Sequence, residues 1–479
     1  MRIGQTSIVV FGSKLLASVL GFLATVYFAR VLGAEILGYY AIVLALVGWL
    51  KLGGDIGVSS AVTKRLSEDD ESSAYFTAGL TIVTGLAVGI GFLIFIFRKY
   101  VNAYVGVEAA MFVILLVLAG LFRSFVKAAL NGQRLVHIAG ILAPVKTGIR
   151  SAVQIGLVIF GFELAGMLFG YAVGAILVGI IGLSFLSIRL ERPQIEHFRS
   201  LYEYAKYAWL GGMKSRSFND IDVIVLGALV HPTYVGVYSV AWTIAQFLNL
   251  FGEAIKQSMF PELSHANARD RVEAVETLIT DSVTYGGLVI IPGLFGGIIL
   301  GDRLLRIYGE EFVRGSTVLV LLITAYLLYG YQKQFMNSLN ALDRPDLAFK
   351  INIIFILSNL VLNVALIVWM GWLGAAIATA ISSGIGLILS FYSLSQLVNF
   401  TVPIGEITRQ VSAAMMMTAM LFVIRQFIEK TALSQYNILI VTLLVILGAG
   451  LYFSILFGIS KTFRATVVAN SPFPIPFYS

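Results

Sequence analysis

The sequence predicts an all-α polytopic membrane protein of about 14 transmembrane helices, in two pseudo-symmetric six-helix lobes followed by two C-terminal helices. Three observations lead to this fold class. Of the 479 residues, 58% are hydrophobic and only 12% are charged, about half the charged share of a soluble domain. Apolar runs of roughly 18–25 residues recur along the chain, the length of a helix that crosses a bilayer. Several short strings also recur, in the same order, in the second half of the chain.

Taken in order, the apolar runs predict one helix each, with a polar or glycine-containing loop between neighbours. The first run carries Lys14 and is too long for the core of a signal peptide, so we expect it to be retained. The predicted helices cover residues 6–28, 37–58, 76–97, 109–130, 140–160, 165–187, 204–230, 235–259, 281–300, 315–339, 349–370, 373–397, 411–428 and 437–459.

Basic residues in the loops predict the orientation. An even number of helices places both termini on one side, and the loops of that side hold about twice as many Lys and Arg residues as the opposite loops. The positive-inside rule therefore predicts a multi-pass protein of the plasma membrane with both termini in the cytoplasm.

The recurring strings predict the domain organisation. VLGAEILGYYA (31–41) has a counterpart in LVHPTYVGVYSV (229–240), which aligns Gly38 with Gly236 and Tyr40 with Tyr238. Helices 1–6 and 7–12 are thus predicted to be parallel copies, an architecture of transporters whose site lies between the halves. The predicted domains are an N-lobe (1–190), a C-lobe (191–400), a C-terminal helix pair (401–460) and a cytoplasmic tail (461–479).

Composition excludes several classes of function. The chain has no cysteine, and its four histidines lack the spacing of metal ligands, so we predict neither a metal site nor a cofactor. The net charge of +7 is spread over loops and helices without a basic domain. It fits a positive-inside excess better than binding to nucleic acid.

The predicted helix 204–230 is the most unusual, because Lys214, Arg216, Asp220 and Asp222 lie inside an otherwise apolar span. A charge that faces lipid there costs at least about 2.5–3.5 kcal/mol, so this helix must face the protein interior. Arg216 and Asp220 are four residues apart and can pair on one face, whereas Lys214 and Asp222 point elsewhere and Asp222 has no local partner. The alternative is a structural ion pair near a helix end.

Other predicted helices also carry polar residues at helical spacing. Cation pairs occur at Arg123 and Lys127 and at Lys146 and Arg150, and Lys51 is four residues from Asp55. From these patterns we predict a cationic substrate-binding cavity and a set of coupling or ion-pair acids, with no catalytic residue. The predicted cavity residues are Lys14, Lys51, Arg123, Lys214, Arg216, Lys256 and Lys333, and the acids are Asp55, Asp220, Asp222 and Glu253. Lys127, Lys146 and Lys256 lie near helix ends, and the sequence leaves open whether they snorkel to the surface or face the cavity.

A polar, net cationic interior suits a substrate with an anionic head and a bulky polar body. Lys and Arg would hold a phosphate or pyrophosphate, whose charge must be compensated while it crosses a medium of low dielectric. Tyrosine and asparagine side chains could contact sugar hydroxyls, and the tail of a lipid substrate could stay in the bilayer.

Several longer strings resemble the polysaccharide-exporter branch of the MOP superfamily (multidrug/oligosaccharidyl-lipid/polysaccharide), the flippases of lipid-linked oligosaccharides. They are FARVLGAEILGYYAIV (28–43), GDIGVSSAVTKRLS (54–67), NDIDVIVLGALVHPTYVGVYSVA (219–241), MFPELS (259–264) and LNALDRPDLAFKINIIFILSNLVLNVALI (339–367), which continues into GWLGAAIATAIS (371–382). The resemblance implies two six-helix lobes around a central cavity lined by helices 1, 2, 7 and 8, alternating access, and two extra C-terminal helices.

The resemblance also implies a function and partners. It implies a flippase that moves a polyprenyl or dolichyl phosphate-linked or diphosphate-linked oligosaccharide, for surface polysaccharide or protein-glycan assembly such as an S-layer N-glycan. The implied partners are this substrate, membrane lipid and glycosyltransferases or an oligosaccharyltransferase of the same pathway, with no nucleic acid.

Two alternative functions stay open from the sequence. A multidrug/cation antiporter of the same superfamily would need an acidic cavity, and the cationic excess argues against it. A membrane-embedded glycosyltransferase or polymerase could use the paired acids Asp220 and Asp222 to hold a metal–nucleotide. The sequence has no loop long enough to form the aqueous domain that a nucleotide sugar requires.

Overall fold

The computed structural model describes residues 3–68 and 72–470. All of the regular secondary structure in these residues is helical. The prediction of an all-α protein is therefore confirmed. The helices are α1 (Ile3–Asp55), α2 (Val58–Glu68), α3 (Ser72–Ile96), α4 (Arg98–Val105), α5 (Ala110–Gly132), α6 (Val136–Ile159), α7 (Glu163–Leu183), α8 (Ile195–Leu229), α9 (Pro232–Leu248), α10 (Leu250–Asn267), α11 (Val272–Gly286), α12 (Ile290–Arg306), α13 (Ser316–Ala341), α14 (Pro345–Met370), α15 (Trp372–Ser395), α16 (Ile404–Glu429), α17 (Asn437–Ile459) and α18 (Lys461–Asn470).

The first helix contains two predicted helices joined at Gly33. α1 has 53 residues and would be about 80 Å long if it were straight, more than twice the thickness of a hydrocarbon layer. It is interrupted at Gly33, whose φ of 77° and ψ of 177° are a backbone conformation that residues with a side chain rarely adopt. The predicted helices 6–28 and 37–58 therefore form the two arms of one kinked element.

The helices are those of a multi-pass membrane protein. Within the described residues, 10 helices are long and apolar enough to cross a membrane, or 11 if α9 and α10, which meet at 43°, form one span. The predicted fourteen exceeds this number for two physical reasons. α1 is counted once although it has two arms, and α6 and α8 are made less apolar by the Lys and Arg residues that they carry.

Residues 1–239 form one compact unit. In it α7 packs along both α5 and α6, whereas α5 and α6 make few contacts with each other. A hydrophobic cluster joins these three helices at one end; its members are Val126, Leu130, Ala139, Leu142 and Val178. α1 packs against α6 and α8, so the helix with four charged residues lies beside the second arm of α1.

Residues 240–479 form the other compact unit. α13 packs against α12 and α15, and α14 packs against α15. The first helix of the predicted C-terminal pair, α16, is tied to α12 by ion pairs. Arg425 binds both carboxylate oxygens of Asp302 at 2.7 and 2.9 Å, and Arg303 donates to Glu429 at 2.9 Å.

Among the element boundaries that differ from the predicted ones are the start of α8 and the beginning of the C-terminal tail. α8 begins at Ile195 rather than at 204, because Gln194 and His197 form a capping box that starts the helix earlier. The predicted tail 461–479 begins with α18, whose Thr462 donates to Glu406 at 2.9 Å; residues 471–479 lie outside the described residues. The compact units divide at Ser239 and the sequence repeat at 190, so the repeat-based lobes stay a prediction.

Candidate functional site

The break between α1 and α2 fixes the position of Lys51. Ile56 and Gly57 have positive φ angles of 41° and 81°, which end α1 one turn after Lys51. The Asp55 carboxylate then caps α2, because its Oδ1 accepts hydrogen bonds from the backbone N–H (3.1 Å) and the hydroxyl of Ser59. The predicted i,i+4 pair of Lys51 with Asp55 is therefore wrong, since Asp55 is used to restart the helix.

α8 closes against this break. Trp209 Nε1 donates to the carbonyl oxygen of Leu52 at 3.1 Å, which satisfies an acceptor at the end of α1. A Cβ on Gly57 would overlap the carbonyl oxygen of Ala205, so only glycine permits this approach. The two contacts hold the end of α1 on α8.

Lys51 crosses from α1 to α5. Its Nζ lies 3.4 Å from Ser124 Oγ, and a Cβ on Gly120 would come within 2.6 Å of its Cδ, so the side chain lies along a groove on α5. Lys51 also lies close enough to Arg123 and Lys146 for their charges to interact. The Lys51 side chain is half-buried in this groove.

Tyr171 of α7 lies at the centre of the cations from the neighbouring helices. Lys146 Nζ is 4.5 Å from the centre of the Tyr171 ring and 3.5 Å from its hydroxyl, and the Arg150 guanidinium is 5.7 Å from the ring centre. Both contacts are within the range of cation–π attraction. Lys51 and Arg123 also lie close enough to Tyr171 for their charges to act on its hydroxyl. We call Lys51, Arg123, Lys146, Arg150 and Tyr171 the cation cluster.

The cation cluster has no acidic counterpart. No salt bridge joins its Lys and Arg side chains to a carboxylate anywhere in the described ranges 3–68 and 72–470. The Nε of Arg150 is buried and makes no hydrogen bond to these residues. Half-buried cations without a counter-charge are costly, because each has lost part of its hydration. The arrangement is therefore suited to an anion that supplies the missing charge and acceptors.

The turn after Arg150 anchors α6 to the cluster. Gln154 is 1% exposed, and its Nε2 donates to the carbonyl oxygen of Met167 at 2.6 Å and to the Tyr40 hydroxyl at 3.1 Å. A Cβ on Gly174 would meet the Arg150 Cβ at 2.8 Å, so α6 and α7 lie in close contact there. These contacts hold Arg150 in place on the surface of α7.

Arg216 and Asp220 form the predicted ion pair on α8, with Arg216 Nη1 2.6 Å from Asp220 Oδ2. The pair lies over Gly48 of α1, where a Cβ would come within 2.7 Å of the guanidinium. The Arg216 side chain is 39% exposed and Asp220 18%. Asp220 neutralises the charge of Arg216. Arg216 therefore adds less net positive charge to this unit than any one of the four cations of the cluster.

Asp222 has a partner that the sequence did not indicate. It is 1% exposed and accepts a hydrogen bond from the hydroxyl of Tyr238, which is fully buried on α9. Tyr238 lies on the next helix, so helical spacing within α8 does not show this partner. The turn between α8 and α9 brings the two residues together.

The second compact unit holds a separate polar group. Lys333 of α13 forms an ion pair with Glu253 of α10 and lies 4.6 Å from the centre of the Tyr329 ring. Asn337 donates to the backbone carbonyl of Lys256 at 3.3 Å, and Lys256 is close enough to Lys333 for their charges to repel. The predicted cavity residue Lys333 is thus compensated by the predicted acid Glu253.

Lys14 and Lys214 are two further residues of the predicted cavity. Lys14 lies on the first arm of α1, but its side chain is outside the described part of the structure. Lys214 lies on α8 and is half-buried, with contacts of its own. Of the predicted site, the structure thus brings Lys51 and Arg123 together in the first unit. Lys146, Arg150 and Tyr171 join them there but were not predicted as site residues.

Comparisons with known proteins agree on one group. The family described as "Polysaccharide biosynthesis protein" matches residues 27–317. The chain is 31% identical to "Probable flippase AglR" of Haloferax volcanii over 97% of its own length and 98% of that protein. It is 28% identical to "Probable low-salt glycan biosynthesis flippase Agl15" of the same organism, over 91% and 92% of the two chains.

Solved structures with the same fold are more distant in sequence. The inward closed conformation of the lipid II flippase MurJ matches with a TM-score of 0.79 at 17% identity, over 96% of this chain and 100% of that one. An inward-facing multidrug resistance MATE family transporter of the MOP superfamily matches with a TM-score of 0.65 at 15% identity, over 79% and 95% of the two chains.

Proposed function

The chain belongs to the polysaccharide biosynthesis protein family, and on that premise we propose that it is a flippase that moves a lipid-linked oligosaccharide across the plasma membrane. The family resemblance predicted from the sequence is confirmed by this membership and by the flippase relatives. The names of these relatives describe flippases, in agreement with the prediction that the protein is not an enzyme.

The cation cluster is the observation that carries this proposal. An oligosaccharide attached to a lipid through phosphate brings one or two negative charges into the membrane interior, where uncompensated charge is expensive. Lys51, Arg123, Lys146 and Arg150 can supply the compensating charge from three helices, and the orphaned Arg150 Nε can donate to a phosphate oxygen. Of the remaining predicted residues, Lys14, Lys214 and Arg216 of the first unit are proposed to guide the same head group, and Lys256 and Lys333 of the second unit stay predicted cavity residues.

We also propose a membrane topology. The two arms of α1, the helices α6 and α8, and the bent pair α9–α10 are spans in their own right, which with the other nine candidate spans gives fourteen, and both termini lie in the cytoplasm. The six-helix lobes then correspond to the sequence repeat, and alternating access exposes the cation cluster to each side in turn. Glycosyltransferases or an oligosaccharyltransferase of the same pathway are proposed partners.

The two rival functions are less well supported. A cation antiporter requires uncompensated acids, whereas Asp220 is paired with Arg216 and Glu253 with Lys333. A metal-dependent glycosyltransferase would need Asp220 and Asp222 to share a metal, but Asp222 is bound to Tyr238. No group of three potential metal-binding side chains occurs among the residues that the structure describes.

A vesicle assay tests the proposal. Purified protein is placed in liposomes that contain a polyprenyl phosphate-linked, fluorescent oligosaccharide in both leaflets, and an impermeant glycosidase then digests the outer leaflet. A flippase makes nearly all of the substrate accessible, whereas protein-free vesicles stop at about half, because unassisted flipping is slow. Digestion that stops at about half with folded, reconstituted protein would contradict the proposal.

Matched variants then test the site. Lys146→Gln and Arg150→Gln should each slow flipping by about 10- to 100-fold, since a charge-assisted hydrogen bond contributes about 1.5–3 kcal/mol. Lys350→Gln is the control, because Lys350 is an exposed lysine one to two turns inside α14. Equal rates for all three variants would remove the cation cluster from the mechanism.

A further inference from the structure

A crevice between α5 and α6 lies next to the cation cluster. It has a volume of about 40 Å³ and is open to the outside. It exists because α7 packs on both helices while α5 and α6 make few contacts with each other. Ala139 and Ala143 are one turn apart on α6, and their small side chains leave space on the α6 side of the crevice.

The two walls of the crevice differ in chemistry. Arg123 and Lys127 of α5 are one turn apart and line one wall, together with the apolar Val126 and Leu130 of the same helix. The facing wall is apolar, with Leu142 beside the two alanines of α6. A ligand that fills such a crevice needs an anionic group that is bonded directly to an alkyl chain. A phosphate attached to a lipid chain has both.

The cations of the crevice and of the cluster lie at increasing distances from the loop that joins α5 to α6. Lys127 is five residues before the end of α5 at Gly132, about 8 Å along the axis, and Arg123 is about 14 Å from that end. On α6, which starts from the same loop, Lys146 is about 15 Å and Arg150 about 21 Å from the beginning of the helix. Arg123 belongs to both sets, because it lines the crevice and interacts electrostatically with Lys51 and Tyr171.

We propose that the α5–α6 crevice is a capture subsite for a lipid-borne phosphate at the cytoplasmic end of the first unit. Lys127 and Arg123 bind the phosphate there, while the first carbons of the lipid lie against Ala139, Leu142 and Ala143. From Arg123 the phosphate passes to Lys146 and Arg150 without a step in which its charge is uncompensated. The inference rests on the proposed flippase function and adds a site at which the substrate enters.

Photocrosslinking tests where the phosphate binds. The full-length protein in detergent is irradiated with a diazirine-bearing farnesyl phosphate, and labelled peptides are mapped by mass spectrometry. We expect labelling of residues 139–143, reduced at least fivefold in Lys127→Gln and in Ala143→Leu, which fills the crevice without changing charge. The controls are Lys350→Gln and Val145→Leu, the latter on a lipid-facing position of the same helix, 36% exposed. Labelling of 139–143 that is equal in Lys127→Gln and wild-type protein would overturn the proposal.

Competition identifies the source of the phosphate. Excess phosphatidylglycerol and excess inorganic phosphate should leave the labelling of residues 139–143 intact. Loss of the labelling with phosphatidylglycerol would assign the crevice to bulk anionic lipid, and loss with inorganic phosphate would assign it to a free anion; either result would overturn the capture role.

Transport kinetics separate this inference from the proposed function. In the vesicle assay Lys127→Gln should raise KM about tenfold and leave kcat near the wild-type value, because it affects capture and not the deeper step. Absence of flipping by wild-type protein would refute the proposed function itself. Normal flipping with an unchanged KM in Lys127→Gln would refute only the capture subsite.

Discussion

Gly38 and Gly236 lie at one helix crossing and make reciprocal contacts. A Cβ on Gly38 would overlap the carbonyl oxygen of Pro232, four residues before Gly236. A Cβ on Gly236 would overlap the carbonyl oxygen of Ala34, four residues before Gly38. The two glycines occupy equivalent positions in the repeated strings 31–41 and 229–240. The contacts at this crossing are therefore related by a local two-fold relationship.

Substitution at this crossing should be costly. Gly38→Ala places a methyl group against backbone atoms, which cannot move as a side chain can, so we expect a loss of about 1–3 kcal/mol or more. The thermal midpoint of the detergent-solubilised protein measures the effect. Gly85→Ala and Gly89→Ala on α3 are the controls, since nothing lies within 4 Å of a Cβ at either position. A midpoint for Gly38→Ala equal to theirs would show that the crossing can relax.

Local patterns in the sequence predicted the helices and some of their contacts. The predicted helix 437–459 coincides with α17, because an apolar run bounded by polar residues defines both ends. The i,i+4 rule predicted the Arg216–Asp220 pair correctly, since both residues lie well inside one helix. The same rule was wrong for Lys51 and Asp55, because the helix ends at Asp55 and the carboxylate turns to Ser59.

Contacts between helices could not be predicted in the same way. Tyr171 is an unremarkable aromatic residue in an apolar run, and only the packing of α7 on α6 places it between Lys146 and Arg150. The partner of Asp222 follows from the turn between α8 and α9, which brings Tyr238 back to it. The cation pair of α6 is visible in the sequence, and its spacing could have identified both residues as inward-facing.

The Arg216–Asp220 pair should behave as a coupled unit. Arg216→Asp and Asp220→Arg should each impair flipping, because each places two like charges one turn apart. The double exchange should recover most of the activity, with a coupling of at least about 1 kcal/mol in a double-mutant cycle. Arg199 and Glu203 supply the control, since this pair lies on the same helix at the same spacing and is 81% and 58% exposed. Exchanging that pair should have no effect. Additive losses at Arg216 and Asp220 would mean that the two residues act separately.

Single cysteines test the proposed orientation, because the chain contains no natural cysteine. Ser67→Cys at the end of α2 and Lys461→Cys at the start of α18 replace exposed residues on the proposed cytoplasmic side. His231→Cys lies between α8 and α9 on the opposite side and is also exposed. An impermeant maleimide should label only His231→Cys in intact cells and all three after permeabilisation. Labelling of Ser67→Cys from outside would reverse the proposed topology.

Substitutions at Asp222 and Tyr238 distinguish a structural role of their contact from a role of Asp222 in transport. Tyr238→Phe removes a hydrogen bond from a carboxylate that is 1% exposed, so we expect a loss of about 1–3 kcal/mol in stability. Tyr202→Phe, on an exposed tyrosine of α8, should leave the stability unchanged.

Asp222→Asn keeps an oxygen that can accept a hydrogen bond from the Tyr238 hydroxyl while it removes the charge. If the charge of Asp222 is needed for transport, this variant should melt close to wild type and flip the lipid-linked oligosaccharide at least tenfold more slowly. Wild-type flipping by Asp222→Asn, together with a lower thermal midpoint for Tyr238→Phe, would restrict Asp222 to holding α9 against α8.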